Sequence, residues 1–153
     1  MPDHERPLAP RGVRALRRLG DHLAGTECAA ELVLCSSARR TVDTLDGIRP
    51  SLPTRADVRV EPQIYGASSH ALLARLRDVH DDVGCVMIIG HNPGLQDLAL
   101  HLGDADESHR PAPLLTKFPT AAAATLSFET SWAEIGPGVA TIEELFTPRP
   151  PSD

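Results

Sequence analysis

Cys85-Val86-Met87-Ile88-Ile89-Gly90-His91-Asn92-Pro93-Gly94-Leu95 passes from an unbroken apolar run to glycine, histidine and proline within a few residues. A run with no polar alternation is the pattern of a strand covered on both faces. Asn92 and Pro93 then suit the N-cap and first turn of a helix. Leu95, Leu98, Ala99 and Leu102 supply the apolar side of that helix at helical spacing. The stretch therefore predicts a buried strand that feeds directly into a helix, with His91 at the junction.

A second junction of the same type lies upstream. Glu31-Leu32-Val33-Leu34-Cys35 reads as a buried strand, Ser36-Ser37 offers a helix N-cap, and Ala38, Val42 and Leu45 carry the helical period. Arg39 and Arg40 fall in the first turn. Ahead of this unit, Val13, Leu16, Leu19 and Leu23 predict an amphipathic helix over about 11–24, whose other face carries Arg11, Arg14 and Arg18. Those arginines read as a solvated face.

Between the two junctions, Val58-Arg59-Val60 predicts a short strand, and Ser68-Ser69 caps a helix lined by Leu72, Leu73, Leu76 and Val79. Residues 103–120 mix Gly, Asp, Pro and His and read as a long functional loop. Ala121 to Phe128 and Val139 to Phe146 are expected strands, either an antiparallel pair or separated by another strand. Pro148 to Asp153 is expected to be a frayed tail. Helix first and then strand-helix units predict an α/β layered sheet, largely parallel and buried between helices.

Composition narrows the functional classes. The 153 residues, 41% hydrophobic, are enough for one domain with a core, expected over 1–147 with a flexible 148–153 tail. The net charge of -6 argues against a nucleic-acid binder. Charge is uneven, with seven arginines against five acids in residues 1–40 and eight basic residues against sixteen acids afterwards, so a small anion can find a cationic site near the N-terminal part. No apolar run suits a membrane span or signal peptide, and the expected compartment is the cytoplasm. Cys28, Cys35 and Cys85 lack paired spacing and read as free, mostly buried thiols, with no metal or cofactor expected. Neither a dinucleotide fingerprint, a Walker loop nor a G-x-S-x-G elbow is present.

Ligands of open α/β sheets collect at the C-terminal ends of strands, where helix N-termini favour anions. Arg40 offers a planar fork for two phosphate oxygens and His91 a donor for a third. Taken singly, each residue is as readily a surface or boundary group. If the two junctions are neighbours in the sheet, both side chains converge on one anion; spacing alone leaves the two readings open.

The segments Asp3-His4-Glu5-Arg6-Pro7-Leu8-Ala9-Pro10-Arg11-Gly12, Leu34-Cys35-Ser36-Ser37-Ala38-Arg39-Arg40-Thr41-Val42-Asp43-Thr44, Tyr65-Gly66-Ala67-Ser68, Gly90-His91-Asn92-Pro93-Gly94-Leu95 and Lys117-Phe118-Pro119-Thr120-Ala121 occur in that order. In this order and spacing the chain resembles the phosphohistidine phosphatase branch of the histidine phosphatase superfamily, over about residues 3–149. The resemblance implies a three-layer, phosphoglycerate-mutase-like α/β sandwich. It implies that Arg40 grips the phosphoryl group, that His91 is the second core histidine stabilising its charge, and that Arg6 helps line the pocket. It implies a phosphorylated protein or small phosphate ester as substrate, no cofactor, and leaves oligomeric state open.

Two departures are mild: Ser37 stands where proline is usual, and Asp43 where glutamine is common. A larger one lies upstream, because the family opens with a central strand ending in Arg-His, whose histidine takes the phosphoryl group. Met1 to Arg6 hold no such segment, and His4 belongs to the stretch that follows it. The expectation is a phosphatase whose reading frame begins upstream of Met1, with the neighbours of the missing central strand left unpaired. The alternative is a non-catalytic phosphate-binding or phosphoprotein-binding module. Tyr65 reads as structural, and His70, His80, His101 and His109 as surface or boundary residues.

Overall fold

The computed structural model describes residues 1–26, 29–103 and 121–148. Its first long element is helix α1, Pro10–Ala24, followed by β1 Leu32–Ser36, α2 Arg39–Ile48, β2 Asp57–Glu61, α3 Ser69–Arg77, β3 Val86–Ile89 and α4 Gly94–Leu102. A hairpin of β4 Ala123–Ser127 and β5 Thr141–Phe146 completes it, with a 3-10 turn at Trp132–Glu134 between them. The expected strand-helix order holds, and the last two strands form an antiparallel pair.

β1, β2 and β3 form a parallel sheet in the order β2-β1-β3. With a strand on each edge, β1 is buried along its whole length. Its alternate side chains serve opposite layers. Leu32 and Leu34 join Leu72, Leu76, Leu98 and Trp132 on one face, while Val33 and Cys35 join Leu16, Leu19, Leu45 and Ile48 on the other. Helices α3 and α4 thus cover one face and α1 and α2 the second, giving a mixed α/β sandwich.

The β4–β5 hairpin sits between the same two helical layers, since Leu126 packs into the first cluster and Ala123 and Phe146 into the second. Its attachments run through helices and loops. Ala140 N–H donates to Leu102 O at 2.8 Å, Trp132 Nε1 to Val83 O at 2.7 Å, and His22 Nε2 lies 2.5 Å from Glu144 Oε1. Among the described residues β3 has a ladder only to β1, and β4 only to β5. Between their facing edges lies a cavity of about 1170 Å³, bordered by residues 86–90 on one side and 121–128 on the other. Accordingly Val86, Met87 and Ile88 are only half-buried despite their composition.

Some boundaries depart from the sequence reading. Helix α2 has Ala38 at its N-cap with no side-chain cap, because Ser36 is the last residue of β1 and its Oγ instead accepts from Ala38 N–H at 3.2 Å. Helix α4 starts at Gly94 rather than at Pro93, which occupies the cap; Asn92 Oδ1 still reaches Gln96 N–H at 3.3 Å. Val13, read as apolar-face, is 56% exposed. Ser68 caps α3 as expected, accepting from Ala71 N–H at 3.1 Å. Cys35 is buried and Cys85 half-buried. Cys28, His109, the Lys117–Ala121 motif as far as residue 120, the 103–120 loop beyond Gly103, and the tail from residue 149 lie outside the described residues. No helix among the described residues is long and apolar enough to cross a membrane.

Candidate active site

Because β1 and β3 are adjacent and parallel, their C-terminal ends lie side by side. The two junctions therefore meet. Arg40 Nη2 lies 3.2 Å from His91 Nδ1, bringing together the two residues singled out from separate stretches. Both also border the seam between β3 and β4.

Local chemistry fixes each side chain. Thr41 Oγ1 donates within the turn, 2.9 Å from Ser36 O and 2.7 Å from Ala38 O, and Thr44 Oγ1 lies 2.9 Å from Arg40 O. These bonds hold the start of α2 against the end of β1. Asp43 Oδ2 accepts from Leu8 N–H at 3.1 Å, which ties the N-terminal segment to α2. On the other junction, Gly94 meets the loop after Tyr65 so closely that an added Cβ would lie 2.3 Å from Ala67 O. Gly66 turns that loop at φ +69, a region costly for other residues. The two glycines bring Tyr65 against His91, with ring centroids 5.4 Å apart and nearly perpendicular.

The hydrogen-bond pattern assigns the His91 tautomer. A guanidinium has donors only, so Nδ1 accepts from Arg40 and the proton sits on Nε2. Nε2–H then donates to Ser36 Oγ at 2.7 Å. Burial first, and the Arg40 charge second, hold the His91 pKa below its ordinary value of 6.5. Ser36 and His91 consequently do not form a nucleophile and base pair, since the imidazole nitrogen facing the hydroxyl is already protonated. His91 is a neutral donor that becomes easier to protonate once an anion offsets Arg40.

The N-terminal turn closes the site. Asp3 accepts from Arg40 Nη2 at 3.3 Å and from Tyr65 OH at 2.6 Å, and its carbonyl accepts from Arg40 Nη1 at 3.0 Å. Its other carboxylate oxygen is paired with Arg6. The hydrogen bonds from Tyr65 and then Arg6 pull the Asp3 carboxyl down to about 2. His4 Nε2 lies 2.8 Å from Ser37 Oγ, and its ring meets Tyr65 edge-on at 4.9 Å. Among the described residues, no group of three or more His, Cys, Asp or Glu side chains is arranged to hold a metal.

No protein-family model matches the chain. An uncharacterised protein of Mycobacterium tuberculosis is 34% identical over 152 residues, spanning 96% of this chain and 92% of that one. An uncharacterised protein of Mycobacterium leprae is 33% identical over 150 residues, at 96% and 89%. A solved structure from Nakamurella multipartitia, which bears the name phosphohistidine phosphatase SixA, is 31% identical with a TM-score of 0.84 over 97% of this chain and 88% of its own. The chain belongs to the SixA-like phosphohistidine phosphatase family. A protein histidine phosphatase SixA complexed with tungstate shares the fold, at 23% identity and a TM-score of 0.76 over 96% of this chain and 87% of that one.

Among the residues assigned by resemblance to this SixA-like family, Arg40 and His91 meet directly. Arg6 stands one step away, bonded to Asp3 with its own side chain 61% exposed. Sequence reading passed over four members of the cluster. By pattern Ser36 reads as a cap, Tyr65 as a structural residue, and Asp3 and His4 as parts of a connecting stretch. All four lie within the ordered family segments, which is the one sequence signal that points to them. His70, His80 and His101 are exposed and lie away from it.

Proposed function

We propose that this chain acts as a phosphohistidine or small phosphomonoester phosphatase, its nucleophilic histidine carried on a further strand seated in the seam between β3 and β4. The observation that carries this reading is the 3.2 Å meeting of Arg40 and His91 at the wall of that seam. A strand entering parallel to β3 supplies hydrogen bonds to both open edges, and its C-terminal end arrives where Arg40 and His91 meet.

In this reaction the nucleophile attacks phosphorus, the bond to the substrate's leaving atom breaks, and a phosphohistidine enzyme forms. Water then releases inorganic phosphate and restores the imidazole. Arg40 grips two phosphoryl oxygens, while His91 donates its Nε2–H to a third, where negative charge gathers. Asp3 must yield Arg40 to the phosphoryl group. Its bonds to Arg6 and Tyr65 provide the place it retreats to.

In-frame nucleotides upstream of the Met1 codon test the origin of the strand. An apolar segment ending in Arg-His is expected; a stop codon ahead of any such segment contradicts it. For the chemistry, the chain with that segment should incorporate label from a phosphohistidine peptide into an acid-labile phosphoenzyme. Binding of phosphate without turnover by that longer chain would instead establish the phosphate-binding module.

A further inference from the structure

The reaction above leaves one requirement unassigned, the proton for the departing atom. Two groups in the cluster are candidates by position, Asp3 and His4. Asp3 is bound to Arg6, Arg40 and Tyr65 together, an arrangement that stabilises the carboxylate and leaves it no proton to give. His4 differs in every respect. It is held by Ser37 alone through Nε2, at 2.8 Å, and among the described residues its Nδ1 has no hydrogen-bond partner. Its ring touches Tyr65, which in turn touches His91. An imidazole is also the side chain best suited to exchange a proton near neutral pH.

Resting on the phosphatase reading, we propose that His4 is the leaving-group acid and that Ser37 sets its tautomer. In the imidazolium both ring nitrogens are donors, so Nε2–H is held by Ser37 Oγ and the Nδ1 proton is the one left to be transferred. In the first half-reaction, the nucleophile forms its bond to phosphorus as the substrate's bond breaks. The electron pair of the broken bond goes to the leaving nitrogen or oxygen, which takes the Nδ1 proton of the His4 imidazolium. In the second half, water attacks phosphorus and loses a proton to Nδ1, and the electron pair of the enzyme's P–N bond returns to the nucleophile. Inorganic phosphate departs and His4 is again protonated. The family's usual proline at position 37 has no hydroxyl, so this device goes with the serine found here.

The test uses the chain that carries the nucleophile strand, with phosphate esters of graded leaving-group basicity. His4→Gln is expected to lower kcat more as the leaving group becomes poorer, by a few-fold for p-nitrophenyl phosphate and about 100-fold for an alkyl phosphate. Ser37→Ala should show the same trend at smaller size. Inorganic phosphate binding, measured by calorimetry, should persist in both, which separates the effect from misfolding. An equal loss for all esters, or none, overturns the proposal while leaving the phosphatase reading intact. Phosphoenzyme formed on His4 itself also overturns it, and a wild-type chain without turnover removes both.

Discussion

β1 and β3 are adjacent, parallel and similarly apolar, yet they live in different surroundings. β1 is paired on both edges, and Val33, Leu34 and Cys35 are fully buried. Among the described residues β3 is paired on one edge only, and three of its four residues are only half-buried beside the seam shared with β4. Composition alone therefore does not seal a strand; a partner on each edge does. The difference places the more open of the two strands beside Arg40 and His91, which border the same cavity.

The largest effect that sharpens this contrast is on stability. Leu34→Ala opens a cavity in a sealed layer and should cost about 2–5 kcal/mol, whereas Ile88→Ala, beside space already open, should cost less than about 2 kcal/mol. Paired denaturant melts measure both, and equal losses would break the comparison. Next comes the cradle itself. Arg40→Ala should weaken binding of inorganic phosphate or tungstate about ten- to hundredfold, the range expected for charge-assisted hydrogen bonds, by calorimetry. Undiminished binding would remove Arg40 from the site.

Gly94→Ala ranks third. Its Cβ would meet Ala67 O at 2.3 Å, so the Tyr65 loop must move, at roughly 1–3 kcal/mol. Loss of the ring-current shift between Tyr65 and His91 should accompany it in NMR spectra. A smaller effect concerns pH. With its folded pKa below 6.5, neutral His91 contributes stability that is complete above 6.5 and is lost as pH falls through the lowered folded value. Phosphate should move the His91 titration upward, because the anion offsets burial and Arg40. The slightest is a labelling difference. Burial pushes the Cys35 thiol up to about 11, so alkylation in the native state should reach Cys85 at the seam well before Cys35.

Much of the fold was legible because burial leaves a mark on sequence. The unbroken apolar runs at β1 and β3 and the helical spacing of Leu16 and Leu19 each report a face that must be covered. The pairing of Arg40 with His91 was legible only conditionally, since strand order is a tertiary fact. Asp3, His4 and Tyr65 were not legible by pattern. They come from turns whose positions depend on distant contacts, such as Leu8 to Asp43 and Gly94 to Ala67, and no periodicity encodes those. The start of α2 departs from the sequence pattern because Ser36 ends β1 and its hydroxyl is taken by His91, whereas the start of α4 shifts by one residue while Asn92 still reaches Gln96 N–H.

The most direct test of the account is hydrolysis of a phosphohistidine peptide by the chain extended through the upstream strand, followed with the wild-type residues and with Arg40→Ala and His91→Ala. The account predicts release of inorganic phosphate through an acid-labile phosphoenzyme, with rates falling by orders of magnitude in both variants. Turnover that persists in either variant, or a wild-type chain that binds phosphate and never forms the phosphoenzyme, would contradict it.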